Sequence, residues 1–179
     1  KQLFFAVFLC VSLQSILSIM FVDFSSISED AKIWIYPSSR KFYDTETPEI
    51  ENLIQNFIEN WKAEDENFKA SYQFLYNRFI ILCADDSESK LSNSDIDASV
   101  SFILELQEKY DVMLLDKMNV CFKQGEFVQY KELKDFKQLV KSKAVTGKSI
   151  VFDNLINTKF DFENYWEIPM EESWYNRFL

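Results

Sequence analysis

The stretch Ala70-Ser-Tyr-Gln-Phe-Leu-Tyr-Asn-Arg-Phe-Ile-Ile-Leu-Cys-Ala84 decides how the chain folds. It is rich in aromatic and branched residues that suit a pleated surface, and it holds neither Gly nor Pro. A two-residue period puts Tyr72, Phe74, Tyr76, Arg78, Ile80 and Leu82 on one face. The segment therefore reads as a strand region with a single Arg set into an aromatic face. Such an Arg either pairs with a buried carboxylate or stacks on rings. Its structural reading is a core-locking ion pair, and its functional reading is an anion-binding group.

Upstream, Lys32-Ile-Trp-Ile-Tyr36 is a short strand stopped by Pro37. Thr47-Pro48 reads as an N-cap with Pro in the first turn. Behind it Ile50, Leu53, Ile54, Phe57, Ile58 and Trp61 recur at helical spacing, which predicts an amphipathic helix. Downstream, Asp85 to Asp97 reads as an exposed acidic loop in which Ser94 or Asp95 caps a helix. That helix runs from about Ile96 to Tyr110 and turns Ile96, Val100, Ile103, Leu104 and Tyr110 inward. Met118–Phe122 and Phe127–Tyr130 flank Gln124-Gly125 as a hairpin. A short helix carries Leu133, Phe136, Leu139 and Val140, a strand covers Ile150–Ile156, and a last helix covers Thr158–Trp166. The order β-α-β-α-β-β-α-β-α predicts an α+β fold, a single domain with a mixed β-sheet and helices packed on it.

Composition removes much standard catalysis. The 179 residues hold no His, two Gly and three Cys. No imidazole base or ligand exists, and no Gly-rich dinucleotide loop can form. Cys10, Cys83 and Cys121 lie too far apart for a Cys-x-x-Cys site, and Cys83 and Cys121 read as reduced core residues. A net charge of −10 and only three Arg, at 40, 78 and 177, argue against nucleic acid as a partner. Residues 1–19 form an apolar leader, read either as a signal or anchor or as sequence upstream of a true start at Met20. The domain is then 20–179, cytoplasmic unless that leader is genuine.

Individual motifs resolve toward modest roles. Gly147-Lys148-Ser149 ends like a phosphate loop, but Ser142 stands where the earlier Gly is needed. A helix also precedes it and a strand follows, the reverse of the order that brings a helix N-terminus to phosphate. Gly147 reads instead as a helix C-cap with positive φ. A calcium loop starting at Asp86 would place Lys90 at a ligand position and Leu91 where Gly is required. No metal or cofactor is expected. Asp97, Asp153 and Glu167 are candidate carboxylates for a His-free hydrolase, provided that two of them share a cleft. The pairing of Arg with aromatic residues in Tyr76-Asn77-Arg78-Phe79 recurs in Trp174-Tyr175-Asn176-Arg177-Phe178.

At these motifs the chain resembles a family of small bacterial proteins that carry the genomic label "ABC transporter ATPase". The matching stretches are Trp34-Ile-Tyr36, Tyr76-Asn-Arg-Phe-Ile80, Ile96-Asp97-x-Ser99-Val100, Met118-Asn119, Val151-Phe-Asp-Asn-Leu155, and Trp166-Glu167-x-Pro169 through Phe178. The resemblance runs from about Met20 to Leu179 and implies a cytoplasmic protein, but it brings no established activity. The missing phosphate loop and the absent Leu-Ser-Gly-Gly signature contradict the label. Related chains carry Cys where Ser94 stands and His where Tyr175 stands, so no thiol or imidazole role at those positions transfers. The expectation is a non-catalytic binding domain for a protein partner or small ligand. Asn77, Arg78, Asp97, Asn154, Trp174 and Arg177 are its candidate binding residues.

Overall fold

The computed structural model describes residues 21–62, 68–116 and 118–179, so the apolar leader lies outside the described residues. The strands are β1 (Lys32–Pro37), β2 (Lys69–Leu75), β3 (Phe79–Asp85), β4 (Asn119–Gln124), β5 (Phe127–Glu132), β6 (Ile150–Phe152) and β7 (Glu167–Pro169). The helices are α1 (Thr47–Asn60), α2 (Asn93–Tyr110), α3 (Leu133–Lys141) and α4 (Lys159–Tyr165). Two 3-10 turns, Met170–Glu172 and Trp174–Phe178, close the chain. The α+β class and the broad order of elements agree with the sequence reading. The β-structure is divided into two antiparallel sheets, β1-β3-β2 and β5-β4-β6-β7.

The segment 70–84 is two strands and not one. Tyr76 and Asn77 both take left-handed backbone (φ 56° and 46°), as a type I′ turn requires, and the Arg78 N–H closes the turn on the Leu75 carbonyl at 3.0 Å. Arg78 is the third residue of the loop, because Leu75 pairs with Phe79. Tyr76 and Arg78 therefore leave the face shared by Tyr72, Phe74, Ile80 and Leu82. An aromatic residue at positive φ is costly, and packing compensates for it. The Tyr76 ring sits 5.5 Å from Phe152 and 6.1 Å from Phe79.

Alternation along β3 explains the layering. Ile80, Leu82 and Ala84 face α1 and α2, meeting Ile50, Ile54, Ile58 and Ile103. Phe79, Ile81 and Cys83 face the second sheet, meeting Cys121, Phe152 and Trp166. The far side of that sheet, through Val120, Phe122 and Val151, packs on Phe136 and Val140 of α3 and on Met170 and Tyr175. The layers are helix, sheet, sheet, helix, with each sheet buried on both faces. Full burial of each such side chain is worth about 1.5–3 kcal/mol before entropy is counted.

Local details differ from expectation for identifiable reasons. Thr47 is the first helical residue of α1 and not its cap, since Glu46 precedes it and the Thr47 hydroxyl donates to the Tyr43 carbonyl. α2 begins three residues early because Ser92 and Asp95 form a reciprocal capping box, so neither Ser94 nor Asp95 is the cap residue. Its buried face is Ser99, Ile103, Leu106 and Tyr110, which leaves Leu104 exposed. Gly147 does not take positive φ; the residue that does so after α3 is Lys143 (φ 61°). Gly147 sits instead in close contact with the chain's last turns, where a Cβ would lie 2.7 Å from Oε2 of Glu171 and 3.2 Å from its Cβ, so the Glu171 side chain would have to move. β6 is shorter than the predicted 150–156 strand, and β7 is an added strand that pairs with it.

Candidate functional site

Arg78 is only 8% exposed, yet it has no carboxylate within ion-pair distance among the described residues. Its Nη1 donates to the Ser38 carbonyl at 2.8 Å. Burial lowers its pKa, and the Cys121 thiol and Tyr130 phenol act the other way. The guanidinium nevertheless stays protonated at neutral pH. The buried carboxylate and the ring stack expected for an Arg in this setting are both absent among the described residues. The Ser38 hydroxyl beside this carbonyl is itself buried, with no hydrogen-bond partner among the described residues.

Arg78 lines a cleft of about 480 Å³ between the β2–β3 turn and β5, together with Lys41, Tyr76, Asn77, Phe127 and Gln129, and with one carboxylate, Glu126. Asn77 anchors one wall. Its amide donates to Oδ1 of Asp44 at 2.9 Å, and its carbonyl accepts the Phe42 N–H at 2.7 Å. The Tyr76 hydroxyl donates to Glu167 at 2.5 Å, and Lys123 pairs with that same carboxylate beneath the turn. These contacts fix the turn against the second sheet and hold Arg78 in place.

Asn154 lies behind this site. Its Oδ1 accepts the Trp166 indole N–H at 3.1 Å, while its buried Nδ2 has no hydrogen-bond partner among the described residues. Burial pushes the Cys121 thiol up to about 12, opposed by the Arg78 charge. That thiol is a protonated core group and not an activated nucleophile. Cys83 and Cys121 are both buried and free, as the sequence indicates.

The other candidate residues lie elsewhere. Asp97 is exposed near the start of α2, about 20 Å along the helix from Tyr110 at ~1.5 Å per residue. Trp174 and Arg177 form an exposed surface stack, with the guanidinium carbon 4.0 Å from the ring centre. Glu167, the register partner of Phe152, meets Tyr76 on the side of the first sheet, whereas Asp153, just past the end of β6, lies near Tyr175 on the α3 side. Asp153 accepts the Leu155 N–H, and Glu167 is occupied by Tyr76 and Lys123. Asp97, Asp153 and Glu167 thus do not meet. Among the described residues no group of three or more Cys, Asp or Glu suits a metal ion.

Sequence reasoning did not reach Lys41, Ser38, Phe127 or Gln129, which come to Arg78 from distant segments. It also missed Arg40, which pairs in bidentate fashion with Glu46 (2.8 and 2.9 Å) and donates to the Tyr110 carbonyl. Lys159 is buried as well, donating to the Ile27 carbonyl at 3.0 Å and pairing with Glu163. Both are structural fasteners. Another cleft, about 530 Å³ beside the end of α2, is lined by surface carboxylates and Leu104, with no buried polar side chain. It offers no recognition chemistry comparable to Arg78.

No family model, no curated protein and no solved structure matches the chain.

Proposed function

We propose that the chain is a non-catalytic, cytoplasmic binding domain. Its ligand, a protein segment or a small molecule, presents a carboxylate or similar small anion to Arg78. The observation that carries this is a buried guanidinium that has no carboxylate partner among the described residues and lines a cleft. Leaving a charge buried and uncompensated is expensive, so an incoming anion gains a charge-assisted, forked hydrogen bond there. The hydrolase alternative has no comparable support, because its carboxylates lie apart. Among the described residues no helix is long and apolar enough to cross a membrane.

The family resemblance belongs to the same proposal. Three of its stretches meet around the Arg78 turn, with Phe79 to Phe152 at 4.8 Å and Phe152 to Trp166 at 4.9 Å. The test compares thermal unfolding in sodium acetate and in sodium chloride at equal ionic strength, for the wild type and Arg78→Met. A ligand that binds only the folded state raises its stability by mass action. Acetate should raise the midpoint of the wild type more than that of the variant. An equal rise in both would refute the reading.

A further inference from the structure

Resting on that reading of the Arg78 cleft, we propose that the occupant is an extended peptide that adds as a strand to the open edge of β5. It places an acidic side chain on Arg78. β5 is an outer strand, paired to β4 on one side and, among the described residues, to no strand on the other. The hairpin turn at Gly125-Glu126 closes on the Gln124–Phe127 pair, with Gly125 at φ 58° as a type II′ turn favours. In a two-residue hairpin this closing pair is hydrogen-bonded. Phe127, Gln129 and Lys131 therefore direct their N–H and C=O groups to β4, and Val128, Tyr130 and Glu132 direct theirs outward.

The other described edges are less available. The Ile33 N–H on β1 is bonded to the Asn157 carbonyl at 2.9 Å, and the Ala70 carbonyl on β2 accepts the Val22 N–H at 3.1 Å. β7 is three residues long and ends in Pro169, which has no N–H to offer. An open edge beside a cleft is the geometry of strand addition, in which main-chain bonds give affinity and side-chain pockets give choice.

The surroundings of β5 supply those pockets. Phe127 is 73% exposed at one end of the strand and lines the Arg78 cleft. At the other end a second cleft of about 410 Å³ is lined by Tyr130, Met113 and Met118, the last 69% exposed. Exposed Met side chains adapt to varied partners. Charge selects the occupant, since Arg78 needs an anion at the level of the strand's first half.

The test uses the full chain against two displayed libraries of peptides about seven residues long, matching β5 at ~3.3 Å per residue. One library fixes a central Glu and the other a central Gln, with the remaining positions randomised. The expected result is enrichment from the Glu library alone. The best peptide should lose affinity about tenfold or more when its Glu becomes Gln, a difference of about 1.4 kcal/mol. Val128→Pro should abolish its binding, since Pro there removes an outward N–H and leaves the β4 ladder intact. If that variant fails to fold, N-methylating the peptide amides against the wild type asks the same question. Glu-dependent binding that survives both Val128→Pro and N-methylation would overturn strand addition while leaving Arg78 as an anion site. Enrichment from the Gln library with equal affinity, or from neither library, would overturn the proposal.

Discussion

Tyr76-Asn-Arg-Phe79 and Tyr175-Asn-Arg-Phe178 are the same four residues in the same order. The first makes a left-handed hairpin turn and the second part of a 3-10 helix. In the first, Phe79 and Arg78 are buried and Tyr76 is partly exposed. In the second, Tyr175 is buried while Arg177 lies on the surface over Trp174. Neighbouring sequence explains the reversal. The first copy sits between two long apolar strands that can pair only if the chain turns back. The second follows Ser173, whose hydroxyl accepts the Tyr175 N–H and starts a helical turn. An Arg in an aromatic setting is thus not one kind of feature. Here one copy is buried with no anionic partner among the described residues, and the other is covered by a ring in water.

The sharpest way to break this contrast is by truncation. Phe79 is fully buried among Tyr76, Phe152 and Trp166, so Phe79→Ala should cost about 3–5 kcal/mol in urea unfolding. Phe178 is only partly buried at the chain's end, and Phe178→Ala should cost about 1–2 kcal/mol. Equal losses would remove the asymmetry.

Alkaline pH gives a second handle on the layer behind Arg78. Burial raises Cys83 and Cys121 from 9.0 to about 12. A thiol raised in the folded state keeps its proton while the unfolded chain loses it, so stability is full below pH 9 and falls as pH climbs toward 12. Urea midpoints measured at rising pH should decline from about pH 9. Cys83→Ala and Cys121→Ala should each flatten the decline, and an unchanged slope in both would contradict the assignment.

The two Arg replacements come next. Arg78→Met should change stability by no more than about 1 kcal/mol, because removing an unpaired buried charge offsets the lost bond to Ser38. A loss above about 3 kcal/mol would identify Arg78 as a structural fastener instead. Arg177→Met should stay within about 0.5 kcal/mol, as expected for a surface position. Tyr76→Phe removes the bond to Glu167 from a partly exposed turn and should cost about 1 kcal/mol, more than the Arg177 replacement.

Helix α1 was legible because Ile50, Ile54 and Ile58 repeat at helical spacing and all three are buried. The hairpin within 70–84 was not, because its turn is Tyr-Asn and lacks the Asn-Gly or Asp-Gly signal. Tertiary packing of Tyr76 does there what Gly usually does. Gly147 carried a misleading signal, since glycines serve close approach as well as positive φ, and sequence does not separate the two. At the candidate site, Arg78 and Asn77 were legible as polar residues in an aromatic run. Lys41 and Phe127 were not, because nothing local marks residues that converge through the packing of two sheets.

The measurement that tests the central claim most directly follows both guanidinium Nε–H resonances, of Arg78 and Arg177, in one NMR titration of the full chain with acetate at constant ionic strength. The expected result is a saturating shift at Arg78 with little movement at Arg177. Equal, unsaturating shifts at both, or no shift at Arg78, would contradict a cleft built to receive an anion.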